Sequence, residues 1–289
     1  MNAPEIFKFK TKQNITLNMS LYRCENNRKN ITIFYFHGGG LVSGLRDDLP
    51  KTYIENFLNS GYDFLSLDYP LAPESKLEVI LNSAYEEILY FLQNHRKKFE
   101  LESQKYILFG RSAGAYLCLN LCNMLIKNYD LHPLAIISLY GYARLYEPEF
   151  NTPSNYYNKL TKVSKKMIKN IISDFPVTED PMNRRLLLYI KGRQEGSWIQ
   201  YLCEEENIND YYLDDHDFQS YPPTILAASI LDPDVPYRIS KKLSKLIPNS
   251  KCLTIYTQVH DFDKDITQSS GITTYNQIID WLEHIVTRN

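Results

Sequence analysis

Short apolar runs of strand length alternate along the chain with amphipathic stretches of helix length. Residues 31–36 (ITIFYF), 63–67 (DFLSL), 106–109 (YILF), 135–139 (AIISL), 224–230 (TILAASI) and 252–256 (CLTIY) are such runs. Being apolar at nearly every position, they suit strands covered on both faces, as in a parallel sheet. Between them, helical patterns fall around residues 49–59, 77–96, 113–127, 236–246 and 274–286. The alternation predicts an α/β fold: a doubly wound, mostly parallel sheet with helices on both faces. Residues 5–23 read as an antiparallel hairpin at the sheet edge.

One segment breaks the rhythm. Residues 143–220 hold no convincing buried strand, but contain a basic helical stretch at 160–171 and a second helical candidate at 184–191. A structureless loop of that length is uncommon inside a domain, so the expectation is a helical cap inserted into one domain spanning residues 1–289. The tail of the segment, residues 204–217, is acidic, rich in Asn and Asp, and reads as exposed loop. Its Asp214-Asp215-His216-Asp217 run reads as solvated rather than as a metal site, because consecutive residues do not converge easily on one ion.

The formal net charge of -2 provides no field towards nucleic acid or anionic lipid, so neither is expected as a partner. Residues 1–12 lack the long apolar core of a signal peptide, and no run approaches the roughly 20 residues of a membrane span. The five cysteines, Cys24, Cys118, Cys122, Cys203 and Cys252, do not have the spacing of a disulfide framework. Cys118 and Cys122 lie four apart on a helical stretch, share a face and read as core filling. A cytoplasmic protein with reduced thiols and no cofactor is expected, and a homodimer is the assembly considered.

Glycine changes the picture. The chain has 11, and five of them fall in two short motifs, His37-Gly38-Gly39-Gly40 and Gly110-Arg111-Ser112-Ala113-Gly114. The second sits between the strand 106–109 and a helical stretch. A nucleophile on such a turn takes a strained backbone, and flanking glycines relieve the crowding. The next helix then directs its free N–H groups and positive dipole end at developing negative charge. Ser112 is therefore the candidate nucleophile. The glycine triplet follows the strand 31–36, and its lack of side chains lets backbone N–H groups approach a substrate. A phosphate loop would need a Lys followed by Ser or Thr, and none follows here. His37 reads as a partner that orients the loop rather than as a base.

With Asp68-Tyr69-Pro70-Leu71-Ala72-Pro73-Glu74 between them, these motifs resemble the hormone-sensitive-lipase-like esterases of the α/β-hydrolase superfamily. The resemblance runs from about residue 31 to the C-terminus, apart from the cap at 143–220. It implies a Ser–Asp–His triad in that chain order, an oxyanion hole and a cap over an acyl pocket. By position, the hole would be the N–H groups of Gly38, Gly39 and Ala113. The acid would be Asp232, after the strand 224–230, with Asp234 in the same turn as competitor. The base would be His260, the only histidine after Asp232 outside the terminal helix that holds His284. Leu41, Tyr140, Tyr142 and Phe262 are candidate pocket walls, with ordinary packing an equal reading.

The implied activity is hydrolysis of a small-molecule carboxylic ester through an acyl-enzyme. An amidase, a peptidase or an arylformamidase-like hydrolase would use the same triad, and a non-catalytic binding module is a third alternative. The sequence departs from the family in three places. Arg111 stands where an acid is usual, Ala115 replaces a second glycine, and Asp261 replaces a small residue after the histidine. The short N-terminal region also leaves the cap to come mainly from residues after Tyr142.

Overall fold

A computed structural model describes residues 2–204 and 211–287. Among these residues eight strands form one sheet in the order β1-β2-β4-β3-β5-β6-β7-β8. They are β1 (Glu5–Lys10), β2 (Thr16–Tyr22), β3 (Thr32–Phe36), β4 (Asp63–Leu67), β5 (Tyr106–Arg111), β6 (Ile136–Leu139), β7 (Thr224–Ser229) and β8 (Ser250–Ile255). The β1–β2 hairpin joins antiparallel through β2 and β4, and every pair from β4 to β8 is parallel. All residues of β3 to β7 are buried, which is why their sequences are apolar almost without interruption.

Alternate side chains of each strand feed two separate cores. Phe34, Phe36, Leu65 and Leu108 meet helices α2 (Leu77–Asn94), α3 (Ala113–Tyr129) and α7 (Tyr237–Leu246) on one face. Ile33, Tyr35, Phe64 and Phe109 meet α1 (Lys51–Asn59) and α8 (Ser269–Val286) on the other. The strand period of two produces this sorting. Cys118 and Cys122 are both buried on α3. None of the described helices is long and apolar enough to cross a membrane.

Between β6 and β7 lie α4 (Lys165–Ile168), α5 (Leu186–Glu195) and α6 (Ile199–Leu202), joined by turns. The helix expected at 160–171 shrinks to the single turn of α4. Within that stretch only Val163 and Ile168 are buried, and a spacing of five does not place two residues on one helix face. Gln194 of α5 also captures the local backbone, its amide accepting from the Val163 N–H and donating to the Thr161 carbonyl. Tertiary bonds therefore take the groups that a helix would have paired. The helix expected at 184–191 is α5, shifted towards the C-terminus, and α6 lay in no expected element. Of the acidic tail, residues 205–210 lie outside the described residues, while Asp215 and Asp217 pair with Arg144 and Lys127.

The sheet's central crossing is tight. A Cβ on Gly114, at the start of α3, would lie 2.0 Å from the Phe36 carbonyl oxygen, so helix and strand backbones touch. Gly114→Ala is expected to destabilise the fold by about 1–3 kcal/mol through overpacking. Thermal unfolding followed by circular dichroism should show a loss of several degrees. A melting temperature equal to that of the wild type would contradict this approach of α3 to β3.

Candidate active site

Ser112 stands between the last residue of β5 and the first of α3, with φ at 51° and ψ at -115°. This is a costly backbone for a residue with a side chain, so neighbouring bonds must hold it. Its N–H donates to the Leu139 carbonyl at 2.9 Å, and its carbonyl accepts from Ala115 and Tyr116 at 3.0 and 3.2 Å. The hydroxyl is thereby fixed at the C-terminal edge of the sheet, over the N-terminus of α3. Gly38 lies opposite, where an added Cβ would come within 3.4 Å of the Ser112 Cβ. Ala113 occupies the first helical position, where backbone donors have no partner within the helix.

The loop after β3 is braced from below. His37 is fully buried, with Nδ1 2.8 Å from the Gly38 carbonyl and its ring stacked on Tyr69 at 4.2 Å. The Tyr69 hydroxyl donates to the His37 carbonyl at 2.9 Å. Burial pushes the His37 pKa down, which keeps the ring neutral and suits it to orienting the loop. Asp68 binds Arg46 and Asn18, and Glu74 binds Arg185, so these two acids anchor neighbouring segments.

The end of β7 and the loop after β8 complete the cluster. His260 Nε2 lies 2.9 Å from Ser112 Oγ, and His260 Nδ1 lies 2.7 Å from Asp232 Oδ2. The other Asp232 oxygen accepts from the N–H groups of Asp234 and Val235 at 2.8 and 3.0 Å, which fixes the carboxylate plane. Asp234 takes different partners. It accepts from Tyr157, Tyr189 and Arg193, and its nearer oxygen is 4.0 Å from His260 Nε2. Of the two aspartates, Asp232 is thus the one on the Nδ1 side of the ring. Asp261 turns outward to Lys264 at 3.4 Å.

Residues 143–220 press on this cluster. Tyr189 of α5 rests against Gly40, where a Cβ would fall 2.3 Å from its ring, and Trp198 Nε1 donates to the Gly40 carbonyl at 2.8 Å. Arg185 donates to the carbonyls of Val42 and Ala72, both at 2.7 Å, and Asp180 accepts from Ser43 at 2.9 Å. Ser112 is consequently only 9% exposed. The four candidate wall residues are buried too. Tyr140 stands edge-on to the His260 ring at 4.7 Å with Phe262 behind it, Tyr142 packs on Tyr116 and Phe150, and Leu41 lies in the core.

Arg111 is buried and fully engaged rather than an open cation beside Ser112. Its Nη2 donates to Asp263 at 3.0 Å, its Nε to Tyr140 at 2.6 Å, and its Nη1 to Tyr35 and Asp48 at 3.3 Å each. Burial opposes its charge, but Asp263, with Tyr140, Tyr35 and Asp48, drives its pKa further up. Sequence reading missed Asp263, Arg193, Tyr157 and Tyr189. An Asp three places after His260 was visible, but nothing linear named Arg111 as its partner. Among the described residues no group of His, Cys, Asp or Glu side chains is arranged to hold a metal ion.

Burial alone would lower the His260 pKa. The charge of Asp232 and its hydrogen bond, with Asp234 and Asp261 farther off, outweigh that and raise it to about 9. The folded protein therefore binds this proton more tightly than the unfolded chain does. The resulting stabilisation is fully present below pH 6.5 and is lost as pH rises towards about 9. An NMR titration of His260 should give an apparent pKa well above 6.5, falling sharply in Asp232→Asn. An unshifted titration would break the proposed contact between the two groups.

A family model described as the alpha/beta hydrolase fold matches residues 33–263. An alpha/beta hydrolase superfamily protein from Enterococcus faecalis superposes with a TM-score of 0.81 at 31% identity, over 98% of this chain and 100% of its own. A protein of unknown function from Staphylococcus aureus subsp. aureus Mu50 gives 0.86 at 28% identity, over 98% and 99%. An esterase of Gibberella moniliformis is 22% identical over 80% of this chain and 66% of its own length. The chain spans only 28% of a putative alpha/beta hydrolase of Acanthamoeba polyphaga mimivirus, at 27% identity over 34% of this chain. With the family model spanning the sheet from β3 through the loop that carries His260, the chain belongs to the alpha/beta hydrolase fold family.

Proposed function

We propose that this protein is a serine hydrolase that cleaves small carboxylic esters through an acyl-enzyme. The observation that carries the reading is the continuous hydrogen-bonded line Asp232–His260–Ser112, lying beside the backbone of Gly38. In this reading neutral His260 takes the Ser112 proton as Oγ attacks the ester carbonyl, and Asp232 stabilises the imidazolium that forms. The N–H groups of Gly38, Gly39 and Ala113 receive the carbonyl oxygen as it becomes negative. His260 then gives its proton to the departing alkoxide, leaving an acyl group on Ser112 and a free alcohol. Water repeats the sequence, releases the acid and restores the hydroxyl.

Two observations support a small acyl group. Tyr189 and Trp198 sit directly on the oxyanion loop, and little of Ser112 is open to solvent. In this reading residues 143–220 are the cap. Leaving-group demand favours esters, since an alkoxide needs less help from His260 than an amide nitrogen does. The esterase name of the Gibberella relative points the same way. All three proposed catalytic side chains come from one chain, so the reaction needs no second copy. The five free cysteines, four of them buried, accord with a reducing cytoplasm as the proposed location.

Ser112→Ala should lower hydrolysis of a p-nitrophenyl acetate-type ester by about 10⁴-fold or more while leaving the circular dichroism spectrum unchanged. Residual turnover near that of wild type would sink the mechanism. A matched anilide should be turned over far more slowly than the ester, and equal rates would favour an amidase. Because His260 acts as base only when neutral, kcat/KM should rise with pH along a limb displaced above 6.5, towards about 9. Lack of labelling at Ser112 by a fluorophosphonate, where a control esterase is labelled, would favour the binding-module reading.

A further inference from the structure

We infer that Arg111 and Asp263 are a positioning pair that holds the base against the nucleophile, a role that rests on the proposed use of Ser112 and His260. The strands that deliver those two residues are not neighbours. β6 and β7 separate β5 from β8, so the two strand ends stand about 14 Å apart at ordinary strand spacing. His260 must bridge that gap from an irregular loop beyond an edge strand. Within residues 256–268 the buried side chains are those of Phe262 and Asp263 alone. Asp263 is therefore the loop's one fully buried polar anchor, and both its carboxylate oxygens are engaged. One oxygen accepts from Arg111 at 3.0 Å and Tyr140 at 2.7 Å, and the other from Tyr275 at 2.8 Å.

The far end of that anchor is the residue bonded to the nucleophile. Arg111 is the last residue of β5, and its guanidinium meets Asp263 of the loop that follows β8. On the way its Nε holds the Tyr140 hydroxyl at 2.6 Å, and Tyr140 sets its ring edge-on to the His260 imidazole at 4.7 Å. Asp48 and Tyr35 occupy the remaining guanidinium arm, and Asp48 accepts from Tyr35 at 2.5 Å. Two constraints on His260 thus converge on one side chain: the loop's anchor and the ring's backstop. Stability alone is a poor reason for this arrangement, since buried ion pairs are often no more stable than well-packed apolar replacements. Fixing the 2.9 Å contact between His260 Nε2 and Ser112 Oγ is a better one. A displacement near 1 Å at a reacting pair can cost on the order of 10²-fold in rate.

The test is the paired replacement Arg111→Met with Asp263→Leu in the full chain, which removes both charges together. The folded double variant, judged by its melting transition, should lose about 10- to 100-fold in kcat with KM within about two-fold of wild type. Its second-order rate of phosphonylation at Ser112 should fall by a similar factor, and the His260 titration should move down from its raised value. Arg111→Lys keeps a charge facing Asp263 but not the fork that also holds Tyr140 and Asp48, so it should fall between the two. It serves alone if the double variant does not fold. Folded variants with wild-type kcat, labelling rate and His260 titration would overturn the pairing role. The titration needs no turnover, so it reads the positioning even if Ser112→Ala were to remain active and the hydrolase reading were lost.

Discussion

At residue 114 a single methyl group would fall 2.0 Å from the Phe36 carbonyl oxygen, and at residue 110 one would fall 2.2 Å from the Gly114 backbone. The close approach of α3 to both β3 and β5 is the constraint on which the rest of the site depends. It forces the chain to reverse within a few residues after β5, which places Ser112 at a positive φ with its hydroxyl clear of both elements. It also draws the loop after β3 beside Ser112, so that Gly38 can approach it. Larger side chains at these positions would push α3 away, and Ser112 and the loop after β3 would separate together.

The protein buries several arginines with carboxylates around that contact. Arg111, Arg185 and Arg193 are each at most 5% exposed, and each is matched by a carboxylate: Asp263, Glu74 and Asp234. Removing charged groups from water is expensive, and the cost is offset only where nearly every donor finds an acceptor. Arg111 and Arg185 meet that condition with help from tyrosine hydroxyls and backbone carbonyls, while Arg193 pairs both terminal nitrogens and leaves its Nε without a partner. Their placement is systematic. Arg111 ties β5 to the loop of His260, Arg185 ties the segment between β6 and β7 to the loop after β3, and Arg193 ties it to the turn of Asp232. Arginine suits such joints because its rigid fork reaches several acceptors at once.

Tyrosine accounts for much of the remaining satisfaction. Tyr35, Tyr140 and Tyr275 surround the Arg111 pair, and Tyr157 and Tyr189 surround the Arg193 pair. A tyrosine fills core volume with its ring and still brings a hydroxyl to a buried ion. Five of the chain's 23 tyrosines thus bring their hydroxyls to these two buried ion pairs.

The sequence by itself determined the sheet, the five helices that cover it and the candidate nucleophile, because each is written in local pattern. Fully buried strands need unbroken apolar runs, and the turn at Ser112 needs glycines at fixed offsets. Asp232 and His260 were nominated by the triad order that the family resemblance implies, applied to the ends of the last two strands. Only the tertiary structure distinguished the partners of Asp232 from those of Asp234, because both lie in one turn and differ in what approaches them from elsewhere. It also replaced the helix expected at 160–171 with a single turn, since Gln194 claims backbone groups that linear spacing assigns to the helix. Arg111 is the clearest case. Its neighbours in sequence mark it only as a cation beside a nucleophile, whereas its partner lies 152 residues away across two intervening strands. Contacts of that range depend on how the strands are ordered in space, and no local pattern records that order.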